Sequence, residues 1–245
     1  MSRKGWVIIF ALFLLALPSP ACADVLAPKV LMAFGPGGPH HVIKECAELY
    51  QERHGITVEV FKVKPEELPQ KLSEHGDLYY GGAEYMLDEF ARNNPDILDL
   101  NSAVDLHPRR IGVVVRKGNP LNISGAEDLG QEGVDLLAVK LEKMEEFHPP
   151  RGAGEKFIHR EVYTGQDGVA AWRAMPELDA WVTYKSWHVT LERESDFIAI
   201  PGAAGMRYTP MAVTRRTPNR QTALHFIDFL KSPEARNIFK EHGWD

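Results

Sequence analysis

The chain has 245 residues, 44% of them hydrophobic, which is enough for one large domain or two lobes. Its 28 Lys and Arg against 34 Asp and Glu give a formal charge of −6, which argues against nucleic acid as a partner, because that binding relies on clustered positive charge. With only 2 cysteines there is neither a disulfide framework nor a Cys-based metal site.

Residues 1–23 read as a secretory signal peptide. Arg3 and Lys4 form a basic start, residues 7–17 an apolar core, and Ala21-Cys22-Ala23 a cleavage site before Asp24. The apolar run falls short of the roughly 20 residues that cross a bilayer. A lipoprotein reading through Cys22 is the alternative, and Ser19 and Pro20 argue against it. The mature chain is more acidic still, since Arg3 and Lys4 leave and no acid leaves with them. Any anion site must therefore be local.

Val30-Leu31-Met32-Ala33-Phe34 reads as a buried strand, and the glycines of Gly35-Pro36-Gly37-Gly38 then turn the chain. Pro39 suits a first helical position, where its missing N–H costs nothing. Val42, Ile43, Cys46, Leu49 and Tyr50 recur at helical spacing, which makes Cys46 a buried, inert thiol. Strand, glycine turn and helix put free N–H groups at the carboxyl edge of a sheet, a place that favours an anion. The plainer reading is a tight turn closing a βα unit, since the phosphate-loop and dinucleotide spacings are absent.

Residues 56–61 and 77–80 read as strands, and 65–74 and 83–92 as helices. This alternation predicts a mostly parallel sheet with both faces covered and ligands outside the strands' carboxyl ends. The Phe34 loop and the Tyr80-Gly81-Gly82-Ala83-Glu84 loop both lie there and can face one cleft. Residues 111–116 form the strongest strand, ended by Lys117-Gly118-Asn119-Pro120. A short helix over 124–129 with Ser124 as its cap follows, then a strand over 134–141. One or two helical turns over 142–147 lead to the loop Arg151-Gly152-Ala153-Gly154. Thr164-Gly165-Gln166-Asp167 opens a helix through Trp172, a second candidate anion-facing N-terminus. Residues 178–183 form a strand that enters a helix with Tyr184 and Trp187; strands at 197–200 and 211–214 and amphipathic helices at 219–230 and 233–242 close the chain.

These blocks, taken in order, resemble the AcfC-like (accessory colonization factor C) branch of the type II periplasmic solute-binding proteins. The matching residues are Phe34-Gly-Pro-Gly-Gly-Pro-His40, Tyr80-Gly-Gly-Ala-Glu-Tyr-Met86, Val115-Arg-Lys-Gly-Asn-Pro120, Asp179-Ala-Trp-Val-Thr-Tyr184 with Trp187, Arg207-Tyr208, and Phe239-Lys-Glu-His-Gly-Trp244. The resemblance implies an α/β, two-lobe fold, each lobe a mostly parallel sheet flanked by helices, with two crossover strands. It implies lobe I at 24–110 plus 205–245, lobe II at 111–204, and hinges near 108–114 and 202–207. The implied ligand is a small anion (an oxyanion, a phosphorylated metabolite or a small carboxylate) passed to an ABC transporter permease or a chemoreceptor by a periplasmic monomer or homodimer. One region departs from the pattern: the helix expected after the Gly152-Ala153-Gly154 loop is missing or rewritten as Glu155-Lys-Phe-Ile-His-Arg160. That departure motivates the alternative of an adhesin or interaction protein that keeps the fold with an altered or lost ligand site.

The candidate ligand-binding residues are Gly37, Gly38, Pro39, His40, Gly82, Ala83, Glu84, Thr183, Tyr184, Arg207 and Tyr208. N–H groups near residues 38–40 are anion donors. His40 and His41 can add charge near neutral pH, or else pack on the surface and face solvent. Glu84 would repel an anion and so reads as a cap or a hydroxyl acceptor. Arg207 is the leading arginine, because its fork suits a carboxylate or phosphate; its alternative is a surface ion pair with a glutamate. For Arg109 and Arg110 the choice is between the cleft and a hinge ion pair, with the ion pair favoured for at least one. Trp181 and Trp187 read as core. The 10 histidines show no i, i+4 pair. The chain also lacks G-x-S-x-G, H-E-x-x-H and the Walker spacing, so neither an enzyme nor a cofactor or metal site is expected.

Overall fold

A computed structural model of the chain describes residues 30–148 and 158–245. The signal sequence with Cys22 and the 151–154 loop lie outside the described residues. The elements run β1 (Leu31–Gly35), α1 (His40–His54), β2 (Val58–Lys62), α2 (Leu68–His75), β3 (Leu78–Tyr80), α3 (Glu84–Asn93) and β4 (Leu98–Arg116). They continue with β5 (Leu136–Val139), β6 (Ile158–Val162), α4 (Gly165–Ala174), β7 (Ala180–Tyr184), α5 (Lys185–Thr190), β8 (Ser195–Ala199), β9 (Met206–Thr214), α6 (Arg220–Leu230) and α7 (Pro233–Glu241).

The fold is the expected two-lobe α/β architecture. Strand order is β2-β1-β3-β9-β4-β7-β5-β6, with β8 also on β4. Parallel pairs lie at both ends: β1 with β2 and β3 in one half, and β5 with β6 and β7 in the other. The middle is antiparallel, because β4 and β9 run the other way. Up to Arg110, β4 pairs with β9; from Ile111 it pairs with β7 and β8. One strand thus passes from one half of the sheet to the other between two adjacent residues.

This strand is much longer than the 111–116 segment read from the sequence. Its first half has no apolar run, because the pairing to β9 shifts register between Asp99 and Val104 and again between Asp105 and Pro108. Side chains replace ladder bonds there: Ser102 Oγ donates to the Asp99 carbonyl at 2.6 Å and accepts from Val213 N–H at 2.8 Å. Such bulges erase the period-2 signal while keeping the strand paired.

Helices cover both faces. On one face of the first half, Leu31 and Leu78 pack with Ile43, Tyr50, Phe226 and Phe239 from α1, α6 and α7; on the other, Phe34 and Tyr79 pack with Leu72 and Phe90. In the second half Val113, Leu136 and Tyr184 form one layer, and Val114, Trp172 and Trp181 the opposite one. Each large apolar side chain buried this way stabilises the fold by about 1.5–3 kcal/mol. Cys46 is fully enclosed and its thiol is pushed up to about 12 by burial, as suits an inert core residue.

Two local readings change. Pro39 is the N-cap of α1, one place before the first helical residue. Ser124 does not cap with its side chain: its N–H and hydroxyl both donate to Asp128 Oδ2, at 2.7 and 2.5 Å, ahead of a 3-10 turn over Ala126–Gly130.

Candidate functional site

Three helix N-termini converge on one cavity between the halves of the sheet. The cavity has about 440 Å³ of empty space, part of it open to solvent. Pro36, Gly37 and Gly38 reach it from the start of α1, Gly82 from the start of α3, and Thr164, Gly165 and Gln166 from the start of α4. First-turn N–H groups have no intrahelical partner and sit at the positive end of the helix dipole. A side chain at Gly165 would force the wall to shift, because a Cβ there would lie 2.3 Å from the Trp187 ring. Thr164 and Asp167 close a capping box, which holds this helix end in place.

Arg109 occupies the centre. It is 2% exposed and enters from β4. One terminal nitrogen donates to the Gly82 carbonyl at 2.8 Å, and the other to Ser186 Oγ at 3.0 Å. The guanidinium carbon stacks 3.7 Å from the Tyr184 ring centre and 4.7 Å from that of Trp244. Its Nε has no hydrogen-bond partner, and among the described residues no carboxylate forms an ion pair with it. Burial lowers its pKa, opposed by nearby Tyr184 and Glu142. Period-2 alternation separates it from Arg110, which pairs instead with Asp245 at 2.5 Å. Lys62, at the end of β2, adds a second cation to the wall and bonds Gln166 across the cleft.

Glu142 also lines the cavity, from a 3-10 turn over Lys140–Glu142. It is buried and accepts one hydrogen bond on each oxygen, from Thr183 Oγ1 and from Trp187 Nε1, both at 2.6 Å. Burial raises its pKa to about 7, against the lowering effects of Thr183, Arg109 and Trp187.

Of the candidate residues, Gly37, Gly38, Gly82 and Tyr184 line this cavity. Thr183 stands behind it as the donor to Glu142, and Pro39 and Ala83 are helix caps behind the glycines. His40 turns away, with Nε2 at 3.2 Å from the Val60 carbonyl and its pKa lowered by burial, while His41 is exposed. Glu84 accepts from Tyr208 N–H at 2.7 Å, tying α3 to β9. Arg207 pairs with Glu146 at 2.5 Å outside the cavity lining, and Tyr208 is 39% exposed.

Lys62 and Glu142 carried no signal in the sequence, since each acts through partners distant along the chain. Trp181 is core as expected, whereas Trp187 is both packed against Trp181 and part of the wall. In the departing region, 158–160 belong to β6, and the Trp172 helix is α4. The second half therefore still brings a helix N-terminus to the cleft.

The halves meet around the cavity. Tyr85 Oη donates to the Leu141 carbonyl at 2.7 Å, Lys143 pairs with Glu89, and Arg207 with Glu146.

Residues 31–145 and 152–245 match the model of a family described as bacterial extracellular solute-binding protein. Among solved structures, L-phospholactate-bound PEB3 is similar at 23% identity and a TM-score of 0.67, over 87% of this chain and 98% of that one; PEB3 is from Campylobacter jejuni. The sulfate-binding protein SubI from Mycobacterium tuberculosis H37Rv is similar at 14% identity and a TM-score of 0.67, over 88% of this chain and 86% of that one. The substrate-binding domain of a putative molybdenum ABC transporter from Clostridium difficile is similar at 16% identity and a TM-score of 0.63, over 88% and 98%. No curated protein matches the chain.

Proposed function

The chain belongs to the bacterial extracellular solute-binding protein family, and from that premise we propose that it is an exported periplasmic protein that captures a small anion in its interlobe cleft. The observation behind this reading is Arg109: a buried cation with an unpartnered Nε and no carboxylate paired to it, where three helix N-termini meet. An enclosed charge without a counter-charge is costly. An anion in the cavity offsets that cost and takes hydrogen bonds from Arg109, Lys62 and the N–H groups at the helix starts.

Oxyanions, phosphorylated small acids and small carboxylates are the classes in question. Among the similar folds, PEB3 is seen bound to L-phospholactate and SubI is a sulfate-binding protein, which supports including both kinds. Of the candidate set, Gly37, Gly38, Gly82 and Tyr184 are proposed as contacts, with Arg109 as the principal arginine. Arg207 is proposed to join the lobes through Glu146. The boundaries 24–110 plus 205–245 and 111–204 accord with the change of partner in β4 after Arg110, and the hinges are placed at 108–114 and 202–207. Delivery is to an ABC transporter permease or a chemoreceptor. The interaction-protein alternative is not carried forward, because α4 keeps its N-terminus at the cleft.

Thermal unfolding of the mature protein against sulfate, molybdate, phosphate, phosphoglycerates and small carboxylates tests the reading. A ligand at a hundred times its dissociation constant adds about 2.7 kcal/mol, a shift of roughly 5–10 °C for a chain of this size. Silence across all the anions, on protein refolded free of bound solute, would sink the proposal.

A further inference from the structure

The anion site contains a carboxyl group that an anion site should avoid. Glu142 lines the same cavity as Arg109 and has no ion-pair partner among the described residues. Thr183 and Trp187 hold it, one donor on each oxygen. A carboxylate has about four lone-pair sites, so these two bonds leave it acceptor capacity, and Glu142 lines the cavity. An ionised Glu142 facing an anion repels it unless a proton lies between them.

Resting on the anion-binding reading above, we propose that Glu142 selects the ligand by reading a proton: the cleft prefers small anions that carry an O–H, as in hydrogen phosphate or a 2-hydroxycarboxylate, over anions that carry none. With an O–H ligand the ligand donates to Glu142. With a bare oxyanion Glu142 must keep its own proton and donate it, and the complex then forms only where the carboxyl is protonated.

The surrounding charges favour this exchange near neutral pH. Arg109 faces Glu142 from β4 and stabilises the ionised form, while enclosure opposes it, and the result is a pKa of about 7. Tyr184 from β7 and Tyr85 from α3 are the other titratable groups near it, and burial raises both, so they stay neutral through this range. Lys62 stands across the same cavity. The Tyr184 hydroxyl lies beside that of Tyr85, and Tyr184 lines the same cavity.

The test uses two probe pairs, sulfate with phosphate and acetate with glycolate, with dissociation constants measured by calorimetry on the mature protein at pH 5.5 and pH 8.5. The expected result is that sulfate and acetate weaken about 30-fold over that interval, as linkage to one carboxyl titrating near 7 requires. Glycolate changes by less than about threefold, since it supplies its own O–H and does not titrate in this interval. Phosphate, which itself passes from one charge to two, keeps an O–H throughout and is compared with sulfate at pH 8.5, where phosphate binds more tightly. Whichever pair binds identifies the head group. In Glu142→Gln the amide donates at every pH, so the dependence for the bare anions disappears, and with it the preference. The wild-type comparison stands even if that variant does not fold. Equal pH slopes for acetate and glycolate, or sulfate binding as tightly as phosphate at pH 8.5, overturn the role of Glu142 and leave anion binding intact. Absence of binding by all four probes at both pH values overturns this inference, whereas the anion reading falls only if molybdate and the phosphoglycerates are silent as well.

Discussion

Replacing Arg109 with Met separates the arginine's contribution to binding from its contribution to folding. The unbranched side chain fills much of the same space without the charge. In the empty protein the substitution removes two charge-assisted hydrogen bonds, to the Gly82 carbonyl and to Ser186 Oγ, each contributing about 1.5–3 kcal/mol. It also removes the stacking on Tyr184, about 2 kcal/mol for a desolvated cation–π contact. Against these stands the several kcal/mol that enclosing an ion costs. The opposed effects largely cancel, so Arg109→Met should unfold within about 2 kcal/mol of the wild type in a urea titration. Binding has no such cancellation, because the anion loses its counter-charge. The expected loss is about 2–5 kcal/mol, or roughly 30-fold to several thousand-fold in affinity. Calorimetric titration with the anion selected by thermal unfolding reads this directly. Arg109→Lys should recover only part, since it restores a charge without the planar fork. Affinity within threefold of wild type in a folded Arg109→Met protein would refute the reasoning.

Other consequences are open to simpler measurements. Glu142 has a folded pKa of about 7, above its ordinary 4.5. The unfolded chain therefore releases this proton first as pH rises, and the group lowers stability progressively between about pH 4.5 and 7. Two and a half units correspond to about 3 kcal/mol; the stability of Glu142→Gln relative to wild type should rise by that amount across this window in denaturant titrations, and a flat difference contradicts the assignment. Gly165→Ala places a methyl against the Trp187 ring and should cost about 1–3 kcal/mol by overpacking, together with a loss of affinity; an unchanged melting temperature would show that the ring moves freely. Arg207→Ala removes a half-exposed ion pair with Glu146 and should change unliganded stability by less than about 1 kcal/mol. A larger loss in chemical unfolding would mean that this contact anchors the lobes.

Much of this organisation is visible in the sequence where signals are local. The turn before α1, the capping residues of α4 and the apolar spacing of α1, α6 and α7 depend on residues within a few positions of one another. The antiparallel centre is less visible, because Asn101, Ser102, Leu106 and His107 sit in bulges that interrupt alternation in β4. Arg109 and Arg110 are indistinguishable in the sequence, since opposite faces of a strand acquire meaning only once the neighbours are known. Asp245, the last residue, takes Arg110, and Tyr184 with Trp244 takes Arg109. Glu142 is harder still. Its surroundings are assembled by Thr183 and Trp187, 41 and 45 residues away, and a glutamate in a short turn ordinarily signals a solvated surface.

The two crossing strands place two arginines at the proposed hinge. Arg109 on β4 and Arg207 on β9 are register partners, and like charges opposite one another on antiparallel strands are unfavourable. The fold meets this with different counterparts on the two sides. Arg109 is enclosed by aromatic rings, whereas Arg207 reaches the far lobe through Glu146. On the proposed function, an anion in the cleft adds a counter-charge beside Arg109, close to the segments proposed as hinges. Lys62 then acts in the same sense, because its bond to Gln166 joins the first lobe to the helix end at the cavity. In the proposed hinge motion, opening the cleft would break that bond and the Arg207–Glu146 pair and expose Arg109 to water. Closure without an anion would then return the guanidinium to an enclosed and uncompensated state. On this proposal ligand binding and lobe closure are coupled through one buried charge, and an anion would favour the closed form by its differential interaction with Arg109.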